Sequence, residues 1–261
     1  KSDPKSDTFD SLVFVSRDIE QITIPDSIIY INSFSFSGCL TLKSITFSEG
    51  SELQMIDKNS FSNSTVEFLS IPSKVVELKE GWCHRTPRLN KVDISPLNEN
   101  FAYLDHDQKM IVGKSRTNDG CFDILIFACR DMIRVIIPAY VRRISAFAFA
   151  SCKRLKTVGL SEDSELFSIG EKAFANSSLE SIFIPAFVSI IEKCTFLGCE
   201  NLRTVKFSIN SQLQSIGSEA FSHSAIEKIS IPPLVYYICE SSFTFCKHLK
   251  TVEFQKNSKL N

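Results

Sequence analysis

Nine cysteines, four histidines and the run Asp105-His106-Asp107 are the side chains of this 261-residue chain whose types and spacing could do chemistry. Cys83-His84 and Cys246-x-His248 each place a thiol and an imidazole at ligand spacing, but a structural zinc site takes four such groups and no second pair accompanies either. Asp105-His106-Asp107 begins like a calcium loop and lacks its glycine and its terminal glutamate. A hairpin turn exposed to water accounts for it. There is no Gly-x-Ser-x-Gly elbow, no phosphate-cradling glycine loop and no histidine pair at helical spacing. Nine glycines leave little backbone freedom to build one. A nucleophilic Cys-His pair is not settled by sequence, yet the reading is of a chain with no catalytic residue, no cofactor and no metal.

The cysteines are placed as packing residues. Cys39, Cys152, Cys199 and Cys246 each stand three places after a phenylalanine, in Phe-x-x-Cys-x-x-Leu-x-x-Val-x-Phe, read at Phe36, Phe149, Phe196 and Phe243 with small variations. A degenerate copy runs Cys83, Thr86, Leu89, Val92, Ile94. Stacked strands lie about 4.8 Å apart, so members of this column two strands apart are about 9.6 Å apart, beyond disulfide reach. They read as small apolar fillers. Cys83, Cys121, Cys129, Cys194 and Cys239 lie outside the column, and a disulfide among them stays open.

What positions these residues is a second repeat, Ile-x-Ile-Pro and its variants, ending at Pro25, Pro72, Pro138, Pro185 and Pro232, at intervals of 47, 66, 47 and 47 residues. Taking positions 22, 45, 69, 92, 135, 158, 182, 205, 229 and 252 as equivalent, the steps alternate between 23 and 24, with one of 43. Ten coils in two alternating flavours follow, with one insertion at about 98–127. Each coil should contain an inward Leu-x-x-Ile segment (Leu53 to Ile56, Leu166 to Ile169, Leu213 to Ile216), a tight corner, a helical or 3₁₀ half-turn carrying the repeat phenylalanine, and a parallel strand closed by proline in every second coil. The phenylalanines should form an interior spine, with Trp82 filling the place that Cys83 leaves. The insertion alternates apolar runs with turns at 105–108 and 117–120 and reads as a β-hairpin or small meander.

The organisation expected is a flexible tail over 1–9 and one solenoid over 10–261, in which each coil touches only its neighbours. Asn257-Ser258-Lys259-Leu260 repeats the phase of Asn210-Ser211-Gln212-Leu213, and Phe14-Val15-Ser16-Arg17-Asp18 matches Phe127-Ala128-Cys129-Arg130-Asp131. Both suggest a fragment of a longer array. With 29 basic and 30 acidic residues the net charge is −1, which supplies no field to gather nucleic acid or an anionic membrane. No apolar run is long enough to insert in a bilayer, and the N-terminus lacks the charged-then-apolar pattern of an export signal.

Ile-Gly-Glu-Lys-Ala-Phe-Ala-Asn-Ser-Ser-Leu-Glu-Ser-Ile-Phe-Ile-Pro, from 169 to 185, and Phe-Leu-Gly-Cys-Glu-Asn-Leu-Arg-Thr-Val-Lys-Phe, from 196 to 207, resemble the BspA-like leucine-rich repeats of bacterial and protist surface proteins. The resemblance covers nearly the whole chain and weakens at Trp82 to Pro87. It implies a right-handed α/β-type leucine-rich repeat solenoid displayed at the cell surface or secreted, a surface antigen or adhesion module that binds a protein or glycan of host matrix or another cell. A cytoplasmic scaffold on the same fold is the alternative; an enzyme-associated repeat domain is more remote.

Alternation within the strands turns one face outward, and that face is the candidate for ligand binding. Its residues are Thr46, Phe68, Ser70, Lys91, Asp93, Arg134, Ile136, Thr157, Ser181, Phe183, Thr204, Lys206, Lys228 and Ser230. Phe68, Ile136 and Phe183 interrupt a wet surface and are the expected anchors; single exposed apolar groups are otherwise ordinary, and the insertion could cover them. Arg85, Arg88, Lys153, Arg154, Lys156, Arg203, Lys247 and Lys250 are expected to form a basic margin beside it, or simply a solvated edge. Asn63-Ser64-Thr65 and Asn176-Ser177-Ser178 fit the N-glycan acceptor pattern, although turn preference alone would place Asn and Ser there.

Overall fold

The computed structural model describes residues 10–115 and 120–260. The tail expected over 1–9 and the turn residues Thr117, Asn118 and Asp119 lie outside the described residues. The chain divides into two compact units, Lys1–Phe122 and Asp123–Asn261. Both are stretches of β-solenoid, together carrying ten coils of parallel strand among the described residues.

In the first unit the front sheet stacks Gln21–Ile24, Ser44–Phe47, Phe68–Ile71 and Lys91–Ile94 in parallel and in order. A second sheet of two-residue strands, Ser11–Leu12, Tyr30–Ile31, Met55–Ile56 and Glu77–Leu78, is the inward segment of each coil. The second unit repeats this with front strands Arg134–Ile136, Thr157–Gly159, Ser181–Ile184 and Thr204–Phe207, then the pair Lys228–Ile231 and Thr251–Phe254, and with a second sheet of Arg143–Ile144, Ser168–Ile169, Ile190–Ile191, Ser215–Ile216 and Tyr237–Ile238. Every step pairs residues of equal phase, such as Ile182 with Val205 and Ile229 with Val252. The 23- and 24-residue steps are therefore the lengths that return the chain to the same register.

The insertion forms the expected antiparallel hairpin, Phe101–Tyr103 with Met110–Lys114. The Asp105 carboxylate closes its turn by accepting from the amides of Lys109 and Met110 at 2.9 and 3.1 Å. The Tyr103 hydroxyl accepts from the Ile94 amide and donates to the Val92 carbonyl, which fastens the hairpin to the end of the front sheet. The last apolar run of the insertion behaves differently: within Phe122–Ala128, Ile124 and Leu125 pair in parallel with Arg143 and Ile144, so this strand is the inward segment of a coil.

Inside each unit the column residues meet as their phase requires. Phe149, Phe174, Phe196, Phe221 and Phe243 stack with centroids 5.0, 5.4, 5.2 and 5.4 Å apart and planes within 10° of parallel. In the first unit Phe36 stacks on Phe61 at 5.0 Å, and Trp82 meets Phe61 edge-on at 5.9 Å. Trp82 thus fills the degenerate coil.

The corner carrying these rings differs from the expected helical half-turn: no helix of any kind occurs among the described residues. Amides alternate instead. Those of Ala148, Ala150 and Cys152 bond back to Ser145, Phe147 and Phe149, while those of Phe147, Phe149 and Ser151 bond forward to Glu171, Ala173 and Ala175 of the next coil. A 3₁₀ turn would keep every amide within the turn. The alternation is achieved by two left-handed residues four places apart in each corner, for example Phe147 and Ser151, Lys172 and Asn176, or Cys194 and Gly198.

Two substitutions test this packing. Phe196 is fully buried between two rings, so Phe196→Ala should lower unfolding free energy by about 3–5 kcal/mol. A Cβ on Gly217 would stand 2.8 Å from main-chain atoms of Glu192 and Lys193, so Gly217→Ala should cost about 1–3 kcal/mol. Urea melts followed by circular dichroism measure both; midpoints unchanged from wild type would contradict the stacking.

Candidate binding face

The front sheets set their outward side chains in columns, since equal phase places like positions side by side. In the first unit one column is Gln21, Ser44, Phe68 and Lys91, and its neighbour is Thr23, Thr46, Ser70 and Asp93. The Thr23 and Thr46 hydroxyls are 2.9 Å apart, Lys91 Nζ lies 3.3 Å from Asp93 Oδ2, and the same ammonium sits 5.3 Å from the Phe68 ring centre. Phe68 is therefore half-buried beneath a cation. Beside it, where Tyr103 and Gln108 of the hairpin meet the strand ends, Ser70, Asp93, Pro72, Leu97 and Phe47 help line a depression of about 790 Å³.

In the second unit the columns are Arg134, Thr157, Ser181 and Thr204, and Ile136, Gly159, Phe183 and Lys206; Lys228 and Ser230 hold the same positions in the next coil. Gly159 shapes this surface. A Cβ there would lie 3.4 Å from Ile136 Cγ1, and without one Gly159, Leu160, Ser181, Phe183, Thr204 and Lys206 line an open depression of about 470 Å³. Ile136 is 78% exposed, whereas Phe183 is half-buried as a wall of the depression. Lys228 is held by Glu253 at 2.6 Å.

The cations of the expected basic margin fall into two groups. The residues just before the strands form a column of alternating sign, Glu20, Lys43 and Glu67 in one unit and Lys156, Glu180, Arg203, Glu227 and Lys250 in the other. Glu20 pairs with Lys43 at 2.7 Å, Glu67 with Arg88 at 3.8 Å, and Lys156 with Glu180 at 3.3 Å. Of the cations read from sequence as a stripe, Arg88, Lys156, Arg203 and Lys250 have a carboxylate from the adjacent coil beside them or next in the column. Arg85, Lys153, Arg154 and Lys247 project from the turns behind this column, exposed.

Asn63 and Asn176 take the second left-handed position of their corners, at φ 56° and 57°, and their amides bond forward to the carbonyls of His84 and Leu197. Asn is among the few residues that tolerate that conformation well. Of the pairs considered for chemistry, Cys83 is buried and His84 half-buried in the corner, while His248 is exposed. The column sulfurs are separated by hydroxyls of the intervening coils: Ser177 Oγ lies 3.4 Å from Cys199 Sγ and Ser224 Oγ 3.3 Å from Cys246 Sγ. All nine cysteines are unbridged. Burial pushes the Cys152 thiol up, and pushes Cys199 up to about 11.

Sequence reasoning looked only at the front strands. It missed the second sheet of the Asp123–Asn261 unit, whose coils expose Tyr140, Phe167, Phe187, Tyr236 and Tyr237. The signal was present in the residues flanking each inward Val or Leu.

Parallel strands, a buried phenylalanine spine and an outward columnar face define the class, a leucine-rich repeat solenoid. The chain matches the family model described as BspA type leucine rich repeat region, in six copies over residues 7–105 and 124–250, and belongs to that family. Among solved structures it is similar to a leucine-rich cell surface protein from Faecalibacterium prausnitzii, with 25% identity, a TM-score of 0.80, and coverage of 92% of this chain and 60% of that one. A leucine-rich repeat protein from Eubacterium ventriosum matches with 19% identity and a TM-score of 0.72, covering 90% and 66%. The pneumococcal vaccine antigen PcpA matches with 23% identity and a TM-score of 0.66, covering 91% and 68%. The chain thus spans less than two thirds of the length of the first two. No curated protein matches it.

Thiol reactivity checks the column. Cys121 and Cys239 are exposed and should react rapidly with a disulfide reagent in the native state, while Cys152 and Cys199 stay unmodified until urea is added. The Cys199 thiol titrates near 9.0 unfolded and near 11 folded, so its stabilising contribution is complete below pH 9 and is lost as pH rises toward 11. Mass mapping of the labelled sites would expose the opposite result, fast labelling of Cys199.

Proposed function

We propose that this chain is a non-enzymatic binding module of a cell-surface or secreted protein, and that its front strand face contacts a protein or glycan of host matrix or another cell. Family membership supports the repeat-binding part of this reading. The solved relatives named a cell surface protein and a vaccine antigen support the location. The observation that carries the choice of face is the Ile136, Gly159, Phe183, Lys206 column, where a missing side chain opens a depression beside apolar walls with a lysine at its rim. Such a place can desolvate an inserted side chain or sugar ring while the hydroxyls of Ser181 and Thr204 supply hydrogen bonds. Preformed coils hold these groups in register, so association costs little ordering.

The column cysteines do not oppose export, because a hydroxyl stands between their sulfurs. Phe183→Ala, Lys206→Glu and Phe68→Ala, measured by interferometry over immobilised matrix proteins and glycans, test the face. Phe183→Ala and Lys206→Glu should each weaken the strongest interaction about tenfold, which is about 1.4 kcal/mol. Unchanged affinity in all three variants would remove this face from consideration.

A further inference from the structure

The second sheet of the Asp123–Asn261 unit turns aromatic side chains to solvent in a regular series, which single exposed apolar residues do not do. Tyr140, Phe187 and Leu234 share one outward column at intervals of 47 residues, that is, every second coil. Glu165 and Gln212 occupy the coils between, held in register by amide bonds to Ala139 and Ala186. Two places further along each coil, Phe167 and Tyr236 face out, with Gln214 on the coil before Tyr236 accepting from its hydroxyl at 2.9 Å. Tyr237 stands beside Tyr236, ring to ring at 4.8 Å and nearly perpendicular, and is 65% exposed.

Charge is absent where the rings are densest. From Phe187 to Tyr237 these outward columns hold aromatic, aliphatic, amide and hydroxyl groups alone. The cations Arg142 and Arg143 are confined to the first coil of the unit, where Arg142 Nε is 2.9 Å from Glu165 Oε2. A surface without net field complements an uncharged partner and offers nothing to a polyanion.

We infer that this sheet is a binding platform for an uncharged β-1,4-linked polysaccharide lying across successive coils. Coils here repeat every 5.0–5.4 Å, as the ring spine records. A β-1,4-linked pyranose chain advances by about one such spacing per sugar and turns over at each linkage, so alternate sugars present the same face. Tyr140, Phe187 and the Tyr236–Tyr237 pair, on alternate coils, meet those faces, and the amides and hydroxyls near them meet the sugar hydroxyls. Aromatic contact with the apolar face of a ring and amide contact with its rim are the two halves of such recognition.

Electrophoresis of the purified chain in native gels containing hydroxyethyl cellulose or glucomannan tests this, with α-linked dextran and heparin gels for comparison. Retardation is expected in the β-linked gels alone and should persist as salt is raised. Phe187→Ala and Tyr237→Ala should each weaken it about tenfold, Phe187→Trp should retain it, and Leu40→Ala, at an exposed apolar residue of the other unit, should leave it unchanged. No retardation in the β-linked gels, retardation of both alanine variants as strong as that of the unsubstituted chain, or binding that only heparin shows would overturn the proposal. So would a dimer in sedimentation velocity that the same two variants abolish, which would assign the patch to a second copy of the chain.

Discussion

The amide alternation at the phenylalanine corner is the constraint on which the coils depend. A chain that turns this sharply, with its side chains directed inward, leaves peptide groups that water cannot reach, and each must find a partner. Half are satisfied inside the turn and half by the next coil, so the corner is both a bend and a rung of a ladder. That fixes the advance per coil at the spacing of hydrogen-bonded strands, which is why the phenylalanine rings meet at 5.0–5.4 Å face to face. The cost falls on φ: Phe147, Glu219 and Phe245 adopt a left-handed backbone that favours Gly and Asn. Two arginines support the corners from one side. Arg130 donates to the carbonyls of Ala128 and Ala148 and lies 3.7 Å from Cys152 Sγ; in the other unit Arg17 donates to Ser35 and lies 3.5 Å from Cys39 Sγ.

Stacking like positions at this pitch explains why the sequence repeats over two coils and not one. Two like charges held 5 Å apart at a surface repel by roughly 3 kcal/mol at an effective dielectric of about 20, less once salt screens them. Lys156, Glu180, Arg203, Glu227 and Lys250 avoid that by alternating. Sulfur is larger than a hydroxyl oxygen, and the column inside the corner alternates too, from Cys152 through Ser177, Cys199 and Ser224 to Cys246. A 47-residue unit is the shortest that satisfies both columns.

The coils, their register and the ring spine were legible in the sequence because each depends on periodic apolar residues, and the period survives where one copy degenerates: Trp82 could be assigned its filling role from its position alone. The corner geometry was not legible. Left-handed conformation is signalled by Gly38, Asn63 or Asn176, but Lys172, Cys194 and Ser241 hold the same conformation because the stack imposes it on them. Nor could the sequence show that Lys156 and Arg203 lie either side of Glu180, since the carboxylate comes from another coil; a list of cations near each strand looked like a stripe. Of the candidate face, the columns were readable from alternation, while the depression beside Phe183 depends on the missing side chain of Gly159 and needed coordinates.

The interior columns are thus committed to pitch, and what distinguishes one surface from another is the outward residues alone. In the Asp123–Asn261 unit the same coils carry two unlike surfaces. The front strands present Lys206, Thr204 and the Phe183 depression, a mixed surface suited to side chains of varied polarity. The second sheet presents Phe187, Gln214 and Tyr237, uncharged and repeating. A partner with irregular chemistry can use the first at one place, whereas only a partner that itself repeats near the coil spacing gains from every coil of the second. Affinity for such a ligand should grow with the number of coils it crosses, since each contact after the first is made at high effective concentration. Short oligosaccharides would then bind weakly and long chains well, and that length dependence separates a periodic ligand from one that fills a single pocket.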